Sequence, residues 1–169
     1  MKIRLIDPER LIPDAHVAAE AAVRGVEALI IEHLRNKNDG TKPNRNGLPK
    51  TNYYADAAKN VEASVDGATV RVEIDHPGLA LHYEGGTVYP KKKALAIPID
   101  ASVAGIWPSE YSRDHQLFKT PGGALGDAET GKILYILLPK ATIPADPSVL
   151  PTDEETLKTA EEAVWEAFS

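Results

Sequence analysis

At 169 residues, with 19 Lys and Arg against 25 Asp and Glu, the chain carries a net charge of −6 and no cysteine. A chain of this length can close a core as one domain, burying roughly 70% of the surface its extended form exposes, and the missing thiols exclude disulfides and thiolate metal sites. The acidic balance weighs against wholesale nucleic-acid binding. The mixed charges of Met1–Arg10 lack a secretory core and the longest apolar run, Ile133–Leu138, is too short to span a bilayer, so a soluble protein made inside the cell, without a membrane partner, is expected.

Pro13-Asp14 opens a first long helix expected over 14–35, with Asp14 as N-cap and Ala15, Ala18, Ala22, Val26, Leu29, Ile30 and His33 repeating on one face through Leu34. Its many alanines allow a partner element to approach closely. His16 and His33 read as solvated or boundary residues, with Glu20 and Glu32 taken to stand at the wrong offset for a shared metal. Residues 36–49 hold two glycines, two prolines and four asparagines without periodicity, and read as a loop. Around it Arg35, Lys37, Lys42, Arg45 and Lys50 stand against Asp39, a local +4. Such a loop is either a solvated connection or an arm that orders on a neighbouring subunit or on phosphates.

Thr51 or Asn52 caps a second helix expected over 51–65, with Tyr54, Ala57, Ala58 and Val61 on one face and the adjacent Tyr53 and Tyr54 as packing residues. Asp66-Gly67 ends it and opens a strand over 68–75, where Val70, Val72 and Ile74 alternate with Thr69, Arg71 and Glu73 so that one face is buried and the other wet. After the Pro77-Gly78 turn, Leu79–Glu84 alternates like a strand, yet Pro-Gly also starts helical turns, and both readings stand. Gly85 and Gly86 make a second turn. Thr87–Pro90 is a short extended piece, Lys91, Lys92 and Lys93 form an exposed crossing, and Ala94–Ile99 reads as a strand.

From 100 to 131 the chain reads as a long polar insertion in which a short helix over 101–110 is interrupted by Pro108, and Trp107 and Phe118 act as anchors onto the core or a partner. Lys132–Pro139 is apolar on both sides, the mark of a central strand. The prolines at 144, 147 and 151 keep 141–151 extended. Thr152 and Glu155 form a capping box for a last helix over 152–168, whose stripe is Leu157, Ala160, Val164 and Ala167 or Phe168, with Trp165 off the stripe as a contact residue. That helix carries Asp153, Glu154, Glu155, Glu161, Glu162 and Glu166 against Lys158, a local −5, so the chain has opposite poles suited to head-to-tail contact between copies. The sum is an α+β domain: N-terminal helices, an antiparallel sheet of about four strands over 68–140 with an insertion, and a C-terminal helix.

The segment Asp66-Gly67, Gly85-Gly86-Thr87, Pro90-Lys91 and Leu95-x-Ile97-Pro98, with Lys50-Thr51-Asn52-Tyr53-Tyr54 upstream, resembles the phage virion morphogenesis family of tail-completion and head-tail joining proteins, over roughly residues 50–100. The resemblance implies a non-enzymatic structural protein of a phage or prophage. Such a protein assembles in the bacterial host cytoplasm and resides in the virion. It would form a homo-oligomeric ring that contacts other tail, neck or connector proteins and uses no cofactor. The expected assembly interface is Arg35, Lys37, Lys42 and Arg45 from the basic loop, Gly85, Gly86, Pro90, Lys91, Lys92 and Lys93 from the central turn, and Trp107 and Phe118 from the insertion.

Chemistry offers weaker alternatives. Glu73, Asp75, His76, His82 and Glu84 would converge on a metal if two extended pieces paired across Pro77-Gly78, giving a small metal-dependent hydrolase; no HExxH or facial-triad spacing accompanies them. No serine sits in GxSxG, and neither glycine pair is a phosphate loop. The three lysines serve either as a phosphate patch in a non-specific DNA-binding module or, the favoured reading, as a solvated hinge that protects a sheet edge.

Overall fold

In the computed structural model residues 15–38, 48, 52–66 and 69–169 are described. They form an α+β protein with a long N-terminal helix, antiparallel sheets and a C-terminal helix. The described residues group into two compact units, one of residues 15–37, 54–66, 69–77 and 148–169, the other of 38, 48, 52–53 and 78–147. Each is taken by itself.

The first unit is built on α1 (Ala15–Lys37), whose last turn places Arg35 and Lys37 beside the exposed carbonyls, where positive charge is favoured. Its most deeply buried positions are Ala19, Val23, Val26 and Leu34: Val26 and Leu34 lie on the expected face, whereas Ala19 and Val23 stand one residue on from the expected Ala18 and Ala22; Ala15 is exposed, while Ala18, Ala22, Leu29 and His33 are half-buried. The offset arises because the helix is covered from two sides, by the C-terminal helix and by a β-hairpin. Full burial of Leu34 alone contributes about 2 kcal/mol. His16 pairs with Glu20 one turn on, at 3.5 Å, so Glu20 does stand at an interacting offset. His33 meets the Ser148 carbonyl at 3.0 Å.

The expected second helix is cut short. After α2 (Tyr53–Ala57) and a 3₁₀ turn over Ala58–Asn60, Val61 turns extended (φ −83°, ψ 124°) and starts β1 (Val61–Asp66), which pairs antiparallel with β2 (Thr69–Ile74). The helical spacing Tyr54, Ala57, Ala58, Val61 runs out where a period of two begins. Val61, Ala63 and Val65 stand opposite Ile74, Val72 and Val70, so the two runs alternate in phase. Two runs that alternate in phase can pair along their whole length, and here that pairing outweighs helix propensity. The wet face of β2 is as expected, but Val70 on the other face is exposed as well. The loop positions 39–47 and the cap position Thr51 lie outside the described residues.

In the second unit, α3 (Leu79–Glu84) decides the open reading of that segment in favour of helix, starting from Gly78 in the left-handed region and ending at Gly85. β3 (Gly86–Val88) and β4 (Leu95–Pro98) follow on either side of the lysines. They do not pair with each other. β3 pairs with β8 (Ala141–Ile143), and β4 is an edge of a four-stranded antiparallel sheet in the order β4-β7-β6-β5, an edge place that tolerates Pro98.

The span 100–131 is not an insertion outside the sheet. It holds a 3₁₀ turn over Ala101–Val103, α4 (Pro108–Tyr111), β5 (Leu117–Lys119) and β6 (Ala124–Asp127), half the strands of the larger sheet. Pro108 begins α4 rather than interrupting a helix, because the first helical position has no N–H to lose. β7 (Ile133–Leu138) is the central strand that its two-sided apolarity predicts. Val103, Leu134 and Tyr135 form the core here, and the Tyr135 hydroxyl donates to the Ile106 carbonyl at 3.1 Å.

Segment 141–151 is only partly extended, since Pro147–Val149 forms a 3₁₀ turn before α5 (Asp153–Ala167). The capping box is present: the Glu155 amide donates to the Thr152 hydroxyl, and the Thr152 amide donates to the Glu155 carboxylate. The Thr152 amide foremost, and the Thr152 hydroxyl at 2.8 Å, lower the Glu155 pKa by donating to its carboxylate. On α5 the face toward α1 is made of small side chains, with Thr159 and Ala163 against Gly25. Leu157, expected on the buried stripe, is 62% exposed, and Phe168 is exposed too.

Candidate assembly surface

Gly85 fixes the start of the central turn. Its φ is +75°, and a Cβ there would lie 2.6 Å from the Ala145 amide nitrogen, so only glycine lets α3 end beside β8. The Gly85 amide donates to Leu81, and the Asp146 amide donates to the His82 carbonyl. Thr87 and Thr142 then face each other across β3 and β8, their hydroxyls 3.4 Å apart. Beyond them Tyr89, Lys91, Lys92 and Lys93 are exposed and Pro90 is half-buried.

The larger sheet turns one face to solvent next to the lysines. By register Ala96 lies opposite Leu137, Leu125 opposite Tyr135, and Lys119 opposite Leu125, which puts these residues on the face that carries Tyr135. The segment with Tyr111 packs over the Tyr135 end, and the remainder is an open groove of about 800 Å³. Ala96, Leu125 and Leu137 line it together with Ala94, Pro108, Gly123 and Pro139, while Lys92, Lys93 and Lys119 also border it. None of its lining residues is acidic.

Two carboxylates hold the loops of the larger sheet. Asp127, 2% exposed, accepts from the Glu129 and Thr130 amides at 3.1 and 2.7 Å, from the Thr130 hydroxyl at 2.8 Å, and from the Tyr111 hydroxyl at 3.0 Å. The Thr130 bonds foremost lower its pKa, whereas burial, ahead of the Asp127 bond, raises that of Tyr111. Asp100 accepts from Lys132 Nζ at 2.6 Å and from the Ser102 hydroxyl and amide at 2.6 and 3.0 Å, which hold its pKa down to about 2.

Because the folded-state value of Asp100 lies below its ordinary 3.8, its contribution to stability is complete above that value and fades as the pH falls toward 2. The thermal midpoints of wild type and Asp100→Asn should therefore differ by a constant amount above about pH 4 and converge by about pH 2. A constant difference throughout would show that the carboxylate is not what Lys132 and Ser102 stabilise.

The expected interface residues are placed as follows. Arg35 is exposed on α1, but Lys37 is engaged within its own unit, donating to Ser148 Oγ at 2.6 Å and lying 5.9 Å from the centre of the Tyr54 ring. Lys42 and Arg45 lie outside the described residues. Gly85 and Gly86 are framework, with Gly86 in β3, and Pro90 leads into the lysine bend. Of the lysines, Lys92 and Lys93 join Lys119 on the groove. Trp107, 71% exposed, precedes α4, and Phe118 is an exposed residue of β5. Lys119 and Leu125 escaped the sequence reading because only strand pairing gathers them; the two-sided apolarity of Lys132–Pro139 was the one signal that covered Leu137.

The convergence proposed for His76 and His82 required an extended piece after Pro77-Gly78, and α3 takes its place. His82 packs on Tyr53 with ring centres 4.8 Å apart, and Glu73 pairs with Arg71 at 3.2 Å. Among the described residues no three His, Asp or Glu side chains are grouped to hold a metal ion. Among the same residues no helix is long and apolar enough to cross a membrane. Comparison with family models, with curated proteins and with solved structures returns no match for the chain.

Proposed function

We propose that the chain is a non-enzymatic virion assembly protein that completes the tail of a tailed phage or joins it to the head, as a ring, and acts through protein–protein contacts. The observation that carries this reading is the motif Gly85-Gly86-Thr87, Pro90-Lys91, Leu95-x-Ile97-Pro98 and its resemblance to the virion morphogenesis family. Surface chemistry supports it. Tyr89, Trp107 and Trp165 are 67%, 71% and 76% exposed, and solvent-exposed aromatics of this kind are the side chains that anchor protein interfaces. The protein is made in the bacterial host cytoplasm and ends in the virion, beside tail, neck or connector proteins.

The test is immunogold labelling of purified virions of the phage that encodes the chain, with negative-stain images of the purified protein alongside. Label at the head–tail junction or the tail end is the expected result. Label that stays in the lysate and never travels with virions overturns the proposal.

A further inference from the structure

We propose that the groove bordered by Lys92, Lys93 and Lys119 takes helix α5 of a second copy of this chain, in a head-to-tail contact; the inference rests on reading the chain as a self-assembling structural protein. Two observations meet in it. The first is the groove itself: a floor of Ala96, Leu125 and Leu137, lysines 92, 93 and 119 beside it, no acid in the lining, and a volume of about 800 Å³.

The second is the outer face of α5. Glu154, Leu157, Glu161 and Trp165 follow the spacing i, i+3, i+7, i+11, which on a helix with 3.6 residues per turn gathers them within an arc of about 80°, and Phe168 follows at the C-cap. All five are exposed, Leu157 by 62% and Trp165 by 76%. The one cation of the helix, Lys158, stands at the rim of this face and pairs with Glu162 at 3.8 Å, so the face offers carboxylates between apolar anchors. An apolar stripe punctuated by acids matches an apolar floor flanked by lysines, the form in which an amphipathic helix docks into a groove.

Because groove and helix are different surfaces of the same chain, the contact is heterologous. Each pair leaves one groove and one helix to engage further copies, so the assembly grows until the rotation per step closes a ring or runs on as a filament. A single helix in a groove buries less than the roughly 1,200 Å² of a standard interface, so association should be weak and salt-dependent.

The test uses three full-length chains in light scattering: wild type, a groove variant (K92E/K93E/K119E) and a helix variant (L157S/W165S). All five positions are exposed, so neither variant should disturb folding, which circular dichroism verifies. Wild type should gain mass with concentration and lose it in high salt. Each variant should stay monomeric alone, and an equimolar mixture should form a dimer and nothing larger, since only one intact groove and one intact helix remain. Variants that associate like wild type, or a mixture that stays monomeric, overturn the contact. If rings persist in both variants, the contact fails while the assembly reading stands. A wild-type chain monomeric up to about 1 mM also overturns the contact, since even a millimolar Kd would then be visible; the groove would pass to another partner, and virion labelling would decide the assembly reading separately.

Discussion

Replacing Asp127 by alanine should lower the melting temperature by on the order of 10 °C, among the largest losses from any single side chain in this protein. The carboxylate is 2% exposed and gathers four donors, two backbone amides and two hydroxyls, at the turn between β6 and β7. Alanine removes the buried acceptor that ties the Glu129–Thr130 turn to Tyr111 and leaves four donors without it, and any of them that water cannot reach loses the full value of its hydration. The turn matters because β7 is the centre of the sheet and its pairing with β6 starts there, where the Asp127 amide also donates to the Lys132 carbonyl.

Asp127→Asn should cost less than half as much, because an amide oxygen in the place of Oδ1 keeps the bonds from Glu129 and Thr130, and the amide nitrogen meets the Tyr111 hydroxyl alone. Thermal unfolding followed by circular dichroism measures both. Hydrogen exchange at the Glu129 and Thr130 amides localises the effect, since their protection should fall well before that of β7. Equal midpoints in wild type and alanine variant would mean that water replaces the carboxylate without loss. The sign with pH is fixed by the lowered pKa: the contribution is present above the ordinary aspartate value of 3.8 and is lost as the pH falls below it, as is that of Asp100, while that of Glu155 is present above its own ordinary 4.5 and lost below it.

Local signals in this sequence were readable wherever a short stretch sufficed. Thr152 and Glu155 announce a helix start because both halves of the capping box lie within one turn. The apolar run of β7 announces a central strand because both its faces must be covered. The first helix was legible to within two residues at either end, but its burial was not, since the stripe that sinks deepest depends on which elements press from which side. The second helix failed for a related reason: Val61 satisfies both the helical spacing of its predecessors and the alternation of its successors, and only the partner strand from Thr69 to Ile74 breaks the tie.

The candidate surface was legible at one edge alone. Lys92 and Lys93 are conspicuous in the sequence, but Lys119 sits in a three-residue strand with no periodicity to detect, and Leu125 follows two glycines that read as loop. Register brings these positions beside Ala96 and Leu137 across three strand pairings. Pairings of that kind follow from the whole hydrophobic pattern and not from any window of it.

The second large effect is expected at Gly25, inside α1. In an exposed helix a glycine-to-alanine change stabilises by about 1 kcal/mol, because alanine loses less backbone freedom on folding. Here the added Cβ would lie 2.8 Å from the Ala163 Cβ and 3.3 Å from the Thr159 carbonyl oxygen of α5. Neither neighbour is the end of a flexible side chain, so the helices themselves must part. Overpacking of this kind costs roughly 1–3 kcal/mol, which cancels or reverses the propensity gain for Gly25→Ala. Gly25→Leu adds three more carbons at the same crossing and should lose about 3 kcal/mol or more. Urea unfolding of both variants, with Ala163→Gly added to each, forms a double-mutant cycle. If close approach of α1 and α5 is what the glycine permits, Ala163→Gly destabilises wild type through its own helix propensity but restores most of what Gly25→Ala loses. Additive effects, or a Gly25→Ala chain more stable than wild type by the full propensity gain, would show that the two helices do not meet at this position. The same glycine explains why α5 can have no deeply buried residue and still hold its place: with Thr159 and Ala163 facing Gly25, backbones come close enough for dispersion contacts to do what large side chains do elsewhere. That packing leaves Leu157 and Trp165 on the outer face, where a partner can reach them.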